Sequence, residues 1–363
     1  LATLARPRAE AAAALRARLG PREAMVWPLM LADRTVTVVL DRRGLRWAET
    51  PMPRHVGLAR VARVAESLDP RNLQAFDVQA AHALFAGLFP DALWRHLAHH
   101  RTLRFPAGSA LAQLPPGVLL TRPAQAGARD VDLPWLLAEK AVLIDAPGRT
   151  MTAAGKTAFL GIGAPLGTPV ALPELSGAAA ELAALRHALP GDGTVLTGAE
   201  ASEAGLRAQD LTRRGVLVIA THGLGAGDAP GLDEAALLLG RTGPGPAEDG
   251  LLTASEIAAM AIPVDWAVLS ACDSAGGARR RAARFTGLAR AFRMAGARSL
   301  LLAHWQVRDD VSARVSVATL RAAARGLPRA EALRRAQLAV MRDPSVSGGA
   351  LPSVWAPFVL LGD

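Results

Sequence analysis

The 363-residue chain has no tyrosine, a single cysteine, and aromatic residues at only 4%. One cysteine excludes an intramolecular disulfide and suits a reducing, cytoplasmic compartment. Lysine is nearly missing as well: Lys140 and Lys156 stand alone, so 39 of the 41 basic residues are arginine. Long apolar runs are also lacking. The best, Ala261–Cys272, is interrupted by Pro263 and Asp265 and is too short to span a bilayer. What remains is a hydrophobic fraction of 51%, enough to bury a sizeable core, at a length suited to two or three domain units.

The charge balance, 41 − 32 = +9, gives a pI near 11.2. Arginine, alanine, glycine and proline are abundant throughout, so the basic pI reads as composition bias. The basic residues are dispersed, with few aromatics beside them to stack bases, and nucleic-acid binding is not expected. The chain begins at Leu1 rather than Met, which reads as a fragment or processed product. Leu4–Leu19 reads as an amphipathic helix continuing from an upstream region; Glu10 and the lack of serine argue against a transit peptide.

Two halves are expected, 1–150 and 151–363, joined at Ala146–Gly155, which holds Pro147 and two glycines. In the first, Ala24–Ala32, Thr35–Leu40 and Leu45–Ala48 predict a strand meander. Helical periodicity covers Val56–Leu68 and Asp77–Leu88, and Leu133–Glu139 reads as helical. Arg101–Phe105, Val118–Leu120 and Ala141–Ile144 read as further strands. The second half alternates short, wholly apolar runs (Thr157–Ile162, Val216–Ala220, Ala267–Ser270, Ser299–Ala303) with longer helical stretches. That alternation predicts a mostly parallel sheet covered by helices on both faces.

Open parallel sheets collect chemistry beyond the carboxyl ends of their strands. Val216–Ala220 runs into Thr221-His222-Gly223, and Trp266–Ser270 runs into Ala271-Cys272-Asp273. If these strands are neighbours, Cys272 and His222 come within thiol–imidazole reach, which favours the thiolate–imidazolium pair, the nucleophilic form of cysteine. The amides of Gly223 and Cys272 are then candidates for an oxyanion site. Each residue alone has an ordinary structural alternative, a small buried thiol and a structural imidazole.

Several stretches carry a specific resemblance: Ile219–Gly223 (IATHG), the turn Glu248–Leu251 before Thr253–Ile257, Val268–Gly277 (VLSACDSAGG), Gly287–Ala297, Ser299–Trp305 and Ala332–Gln337. They resemble the CHAT domain family, caspase-like cysteine peptidases often attached to helical TPR repeats. The similarity is strongest over Lys156–Asp363 and looser through Thr102–Leu114 and Leu133–Pro147. The resemblance implies a caspase-like mostly parallel sheet flanked by helices, with an amino-terminal α+β pseudo-caspase-like half. It implies His222 and Cys272 as the dyad; a His-to-Cys separation of about 50 residues is that of caspases. It further implies a protein or peptide substrate, a regulated signalling or defence role, activation by a partner recruited through an upstream region, and no metal or organic cofactor. A catalytically silent interaction domain and a thiol-dependent acyl transferase are the alternatives.

The sequence departs from the family after the cysteine, where Ala278–Thr286 (ARRRAARFT) reads as a basic loop with four arginines and no acid. Trp305 either lines a substrate cleft or lids the core. Asp273, Asp309 and Asp310 are candidate pocket carboxylates, although Asp309 and Asp310 also suit a helix N-terminus. His96, His99 and His100, with no acid or thiol near in sequence, read as solvated surface histidines rather than metal ligands.

Overall fold

The computed structural model describes residues 13–71, 75–145, 158–173, 175, 177–243, 245, 248–270, 272–273, 278–305 and 307–362, with the backbone alone for 112, 113, 272, 273 and 278–286. The expected junction 146–155 and most of the Leu4–Leu19 segment lie outside the described residues; residues 13–18 are helical. The chain divides into two units, Leu1–Ile144 and Asp145–Asp363.

In the first unit, β1 (Glu23–Met30), β2 (Thr35–Asp41) and β3 (Gly44–Thr50) form the antiparallel meander that their alternation predicts. Asp41 closes the second turn by accepting the amides of Arg43 and Gly44 at 2.7 and 3.0 Å. Helices α1 (Arg54–Ser67) and α2 (Val78–Leu88) follow, the latter capped by Asp77, which accepts the Ala80 amide at 2.8 Å. Pro90 follows the end of α2 and immediately starts α3 (Asp91–Leu97), the helix that carries His96. β4 (Thr102–Pro106) lies parallel to β1, and β5 (Ala141–Asp145) follows it in the order β3-β2-β1-β4-β5.

Two expectations fail here. Val118–Leu120 is not a strand but the end of a tight turn at Pro116–Val118, with one isolated bridge from Leu120 to Trp135. Adjacent prolines 115 and 116 lack the amides a ladder needs. The helical reading of Leu133–Glu139 shrinks to α4 (Leu136–Glu139), because Pro134 cannot continue a helix from Leu133.

Lys140, one of the two lysines, organises this unit. Its Nζ donates to the carbonyls of Leu97, Ala98 and His100 at 2.9, 3.0 and 2.7 Å and sits 5.4 Å from the Trp94 ring. It therefore satisfies carbonyls that the end of α3 leaves without helical partners. Burial pushes its ammonium below the usual lysine range.

The second unit begins with β6 (Ala158–Pro165), α5 (Ala178–Ala188), β7 (Gly193–Gly198), α6 (Glu203–Arg207) and β8 (Arg214–Ala220). Short strands β9 (His222–Leu224), β10 (Ala236–Leu238) and β11 (Leu251–Thr253) precede α7 (Ala254–Ala259), β12 (Trp266–Leu269) and β13 (Cys272–Asp273). Then come α8 (Ala278–Ala295), β14 (Ser299–Ala303), α9 (Asp309–Ala324), α10 (Arg329–Arg342), α11 (Pro352–Trp355) and β15 (Phe358–Gly362). The central order is β15-β14-β12-β8-β6-β7, parallel throughout except that β15 runs antiparallel to β14. Nearly every residue of β8, β12 and β14 is buried, whichever way it points, so both faces are covered.

The expected basic loop Ala278–Thr286 is instead the first half of α8. No glycine or proline interrupts it, and alanine and arginine are among the strongest helix formers.

Several motif stretches prove to be scaffold. Thr253 and Glu256 form a capping box at the start of α7, with reciprocal bonds of 2.9 and 3.2 Å. Gln337 donates to the carbonyls of Trp355 and Phe358 at 3.0 and 3.1 Å, tying α10 to the last strand. Gly250, at φ 83°, approaches the Leu239 carbonyl so closely that a Cβ would lie 2.7 Å from it. Its amide is received by Glu203 Oε1 at 3.1 Å.

Glu203 is fully buried, and burial followed by the nearby Glu256 charge pushes its carboxyl up to about 7, against the opposing pull of Arg207 and the Gly250 amide. The folded chain thus holds this proton to higher pH than the unfolded chain, where the group titrates near 4.5. The native state binds the extra proton between those values, so this group makes stability fall as pH rises from about 4.5 to about 7. Thermal melts across that window should show a decline that Glu203→Gln flattens. An identical pH profile in the variant and the parent would remove the assignment.

Candidate active site

The site is built by two neighbouring strands that leave the sheet together. β8 and β12 pair in parallel from Val216↔Trp266 to Ile219↔Leu269, and the Ser270 amide extends the ladder to the Ile219 carbonyl at 3.0 Å. Beyond them both chains enter a second, four-stranded sheet in the order β11-β10-β9-β13. There β9 and β13 pair in parallel, with Cys272 opposite His222 and Asp273 opposite Gly223. The two expected site residues therefore occupy adjacent strands in register, where neighbouring backbones lie about 4.8 Å apart. Thr221, at the crossing between sheets, is completely buried and gives its hydroxyl to the Leu238 carbonyl.

His222 is 8% exposed. Its Nε2 donates to the Pro173 carbonyl at 2.7 Å, while Nδ1 is buried with no hydrogen-bond partner among the described residues. A neutral imidazole whose Nε2 carries the hydrogen presents its lone pair on Nδ1. Sequence reasoning missed Pro173, because a backbone carbonyl from a loop 49 residues upstream leaves no side-chain signature.

Beside His222 lies a cavity of about 410 Å³, bounded by Leu166, Leu172, Leu175, Ala179, Thr221 and Leu238. None of the described residues lining it is acidic. Two backbone features shape its rim. A Cβ at Gly163 would lie 2.3 Å from the Ala220 carbonyl oxygen, so only glycine permits this approach of β6 to β8. Ala164 is held at φ 48°, the left-handed region that non-glycine residues rarely occupy.

Glu181 was also not anticipated. From α5 its Oε1 accepts the hydroxyls of Ser270 and Ser312 at 2.8 and 2.9 Å, anchoring the end of β12 two residues before Cys272. Burial, assisted by the Asp309 charge, raises its carboxyl above the usual range despite the two hydroxyls.

The remaining expected cleft residues are spread out. Asp309 and Asp310 both lie in the first turn of α9, where carboxylates complement the helix dipole. Asp310 is taken up by Arg308 through bonds of 3.0 and 2.7 Å, and Asp309 abuts Gly177. Trp305 is buried and gives its indole N–H to the Ser353 carbonyl at 2.8 Å, the lid-over-core alternative. Its neighbour His304 is buried, which lowers its imidazole to about 3 and keeps it neutral. Gly223 pairs with Leu237 as well as with Asp273. Residues 274–277, the glycine-rich stretch after the cysteine, lie outside the described residues.

The reading of the histidine cluster as solvated surface is corrected for two of its members. His96 and His100 direct Nε2 at Asp41 Oδ2, at 2.9 and 3.2 Å, and their side chains are 14% and 8% exposed. The acid that sequence proximity did not supply comes from β2, brought to the end of α3 by the fold. Burial would raise the Asp41 carboxyl, but the Arg43 amide and the two imidazoles hold it below its ordinary value.

The CHAT domain family model matches residues 78–363. No curated protein is significantly similar in sequence. Among solved structures, the Arg-specific cysteine proteinase gingipain R (RgpB) aligns at TM-score 0.44 and 10% identity over 83% of this chain and 73% of its own. The complex of Porphyromonas gingivalis RgpB pro- and mature domains aligns at TM-score 0.47 and 10% identity, over 84% and 74%. Saccharomyces cerevisiae separase, in its complex with securin, aligns at TM-score 0.51 and 10% identity over 96% of this chain and 30% of its own. The fold is that of the caspase-like cysteine peptidases, a mostly parallel sheet flanked by helices. With the family model spanning 78–363, the chain belongs to the CHAT domain family.

Proposed function

We propose that the chain is a cysteine endopeptidase in which Cys272 is the nucleophile and His222 the general base and acid. The observation that carries this reading is the register of β9 and β13, which sets the two residues opposite one another. In the first step His222 Nδ1 takes the thiol proton and the sulfur attacks the scissile carbonyl carbon, placing negative charge on its oxygen. The amides of Gly223 and Cys272 are the proposed donors to that oxyanion. Collapse breaks the C–N bond; the imidazolium returns the proton to the leaving amine, and a thioester remains. Water, deprotonated by His222, then attacks the thioester and regenerates the thiol. The Pro173 carbonyl orients the ring throughout and stabilises the imidazolium that forms.

In this reading residues 151–363 are the catalytic half and 1–150 the amino-terminal α+β half of the CHAT region. A reducing, cytoplasmic setting, a regulated signalling or defence pathway, association with TPR repeats and an activating protein partner belong to the same proposal.

Cys272→Ala and His222→Ala should each lower peptide cleavage at least a thousandfold while circular dichroism stays unchanged. An electrophilic thiol probe should label Cys272 of the parent at least tenfold faster than Cys272 of His222→Ala, which distinguishes an activated nucleophile from the inert thiol of a silent interaction domain. The masses of the products should show hydrolysis rather than acyl transfer. Undiminished cleavage by folded Cys272→Ala would sink the mechanism.

The cavity beside His222 favours an apolar side chain before the scissile bond, since a buried cation with no carboxylate partner is costly. A peptide-library profile should therefore show apolar or mixed preference at that position. Asp273→Asn, Asp309→Asn and Asp310→Asn should each change the preference less than about threefold. Strict Arg or Lys preference, lost about a hundredfold in one of these variants, would instead identify a pocket carboxylate.

A further inference from the structure

A second cluster, independent of the peptidase reading and contained within Leu1–Ile144, has the makings of an ion site. His96 and His100 are four residues apart at the end of α3, and both aim Nε2 at the same oxygen, Asp41 Oδ2, at 2.9 and 3.2 Å. One ligand atom from each residue lies within 4.8 Å of the other two. The other Asp41 oxygen, Oδ1, is held by the Arg43 and Gly44 amides, which fixes the carboxylate as outer-shell partners fix metal ligands. As hydrogen bonding alone the cluster is poorly balanced. One carboxylate oxygen serves two imidazoles, and His100 Nδ1 is buried with no hydrogen-bond partner among the described residues.

We propose that His96 Nε2, His100 Nε2 and Asp41 Oδ2 form a three-ligand site for a divalent transition-metal ion, zinc foremost. Tetrahedral coordination with bonds of about 2.0–2.2 Å sets donor atoms about 3.3–3.5 Å apart. The present separations fall short of that by a few tenths of an ångström, which small side-chain rotations supply. Two imidazoles and one carboxylate match zinc, whereas calcium and magnesium take oxygen donors. His96, the more exposed of the pair, leaves the fourth position to water. Lys140, whose Nζ is spread over three carbonyls of the same turn, is the neighbouring cation that limits affinity. The ion would staple the β2–β3 turn to the end of α3, elements 55 residues apart in sequence.

The test uses the full chain without a polyhistidine tag, stripped with a chelator and carrying Cys272→Ala so that the one thiol cannot bind metal. Titration with Zn²⁺ should reveal one equivalent binding with a Kd of about 10 μM or tighter, and it should raise the Tm by a few degrees. Co²⁺ should give the intense visible bands of a tetrahedral ion. His96→Ala should weaken binding at least tenfold and remove the Tm shift, while His99→Ala, at an exposed position outside the cluster, should bind as the parent does. No uptake at about 100 μM Zn²⁺, or binding unchanged in His96→Ala, overturns the proposal. If His96→Ala fails to fold, the Co²⁺ spectrum of the parent decides, and weak octahedral bands or none would reject the site.

Discussion

The pairing register of β8 with β12 is the constraint on which the candidate site depends. Val216 faces Trp266, Ile219 faces Leu269, His222 faces Cys272 and Gly223 faces Asp273, an offset of 50 residues at every step. The offset survives the passage from the central sheet to the second one because each chain spends the same number of residues between its two ladders. Slipping either strand by one residue would exchange the side chains packed on its two faces and lose their fit on both. With both faces of β8 and β12 covered, that slip is strongly opposed. The apolar core thus fixes a backbone alignment in which placing Cys272 opposite His222 is a consequence rather than an additional feature.

Within each unit, several buried polar side chains act on backbone groups. Lys140 gathers three carbonyls, Gln337 two, Glu203 an amide, and His222 a carbonyl. A carbonyl or amide left unpaired inside a protein costs roughly 1–3 kcal/mol, more than the net gain of about 1 kcal/mol from an average hydrogen bond. These side chains are therefore better understood as removing penalties at places where helices and strands end. Glu181 belongs with them, but it receives hydroxyls instead of backbone groups, and one of these, Ser270, lies two residues before Cys272.

Much of the second unit was legible because parallel strands buried on both faces advertise themselves as uninterrupted apolar runs. Val216–Ala220 and Trp266–Ser270 could be read, and the residues just past their ends could be singled out, without knowing the topology. The first unit was harder. α3 follows α2 with only two residues between, and Asp91–Leu97 is too short for periodicity to announce a separate helix. Val118–Leu120 had the composition of a strand but stood next to two prolines. The start of α8 was read as a loop from its place after the cysteine, although its alanine and arginine content favoured a helix. The partners that complete the sites were hidden for a different reason. Pro173 contributes a main-chain oxygen, and Glu181 and Asp41 lie 89 and 55 residues from the groups they serve.

The two histidine sites show how little the residue type decides by itself. His222 and His96 are both largely buried imidazoles with Nε2 engaged, yet their partners differ in kind. A carbonyl can only accept, so it assigns the hydrogen to Nε2 of His222 and leaves Nδ1 basic. An ionised carboxylate also only accepts, so alone it calls for two N–H donors, but its charge equally suits a cation placed among all three atoms. On the proposed readings, the first arrangement suits a ring that moves a proton and the second suits rings that hold a charge still. In a chain this poor in lysine, cysteine and tyrosine, both proposals fall to histidine, and the partner atom supplied by the fold separates the two environments.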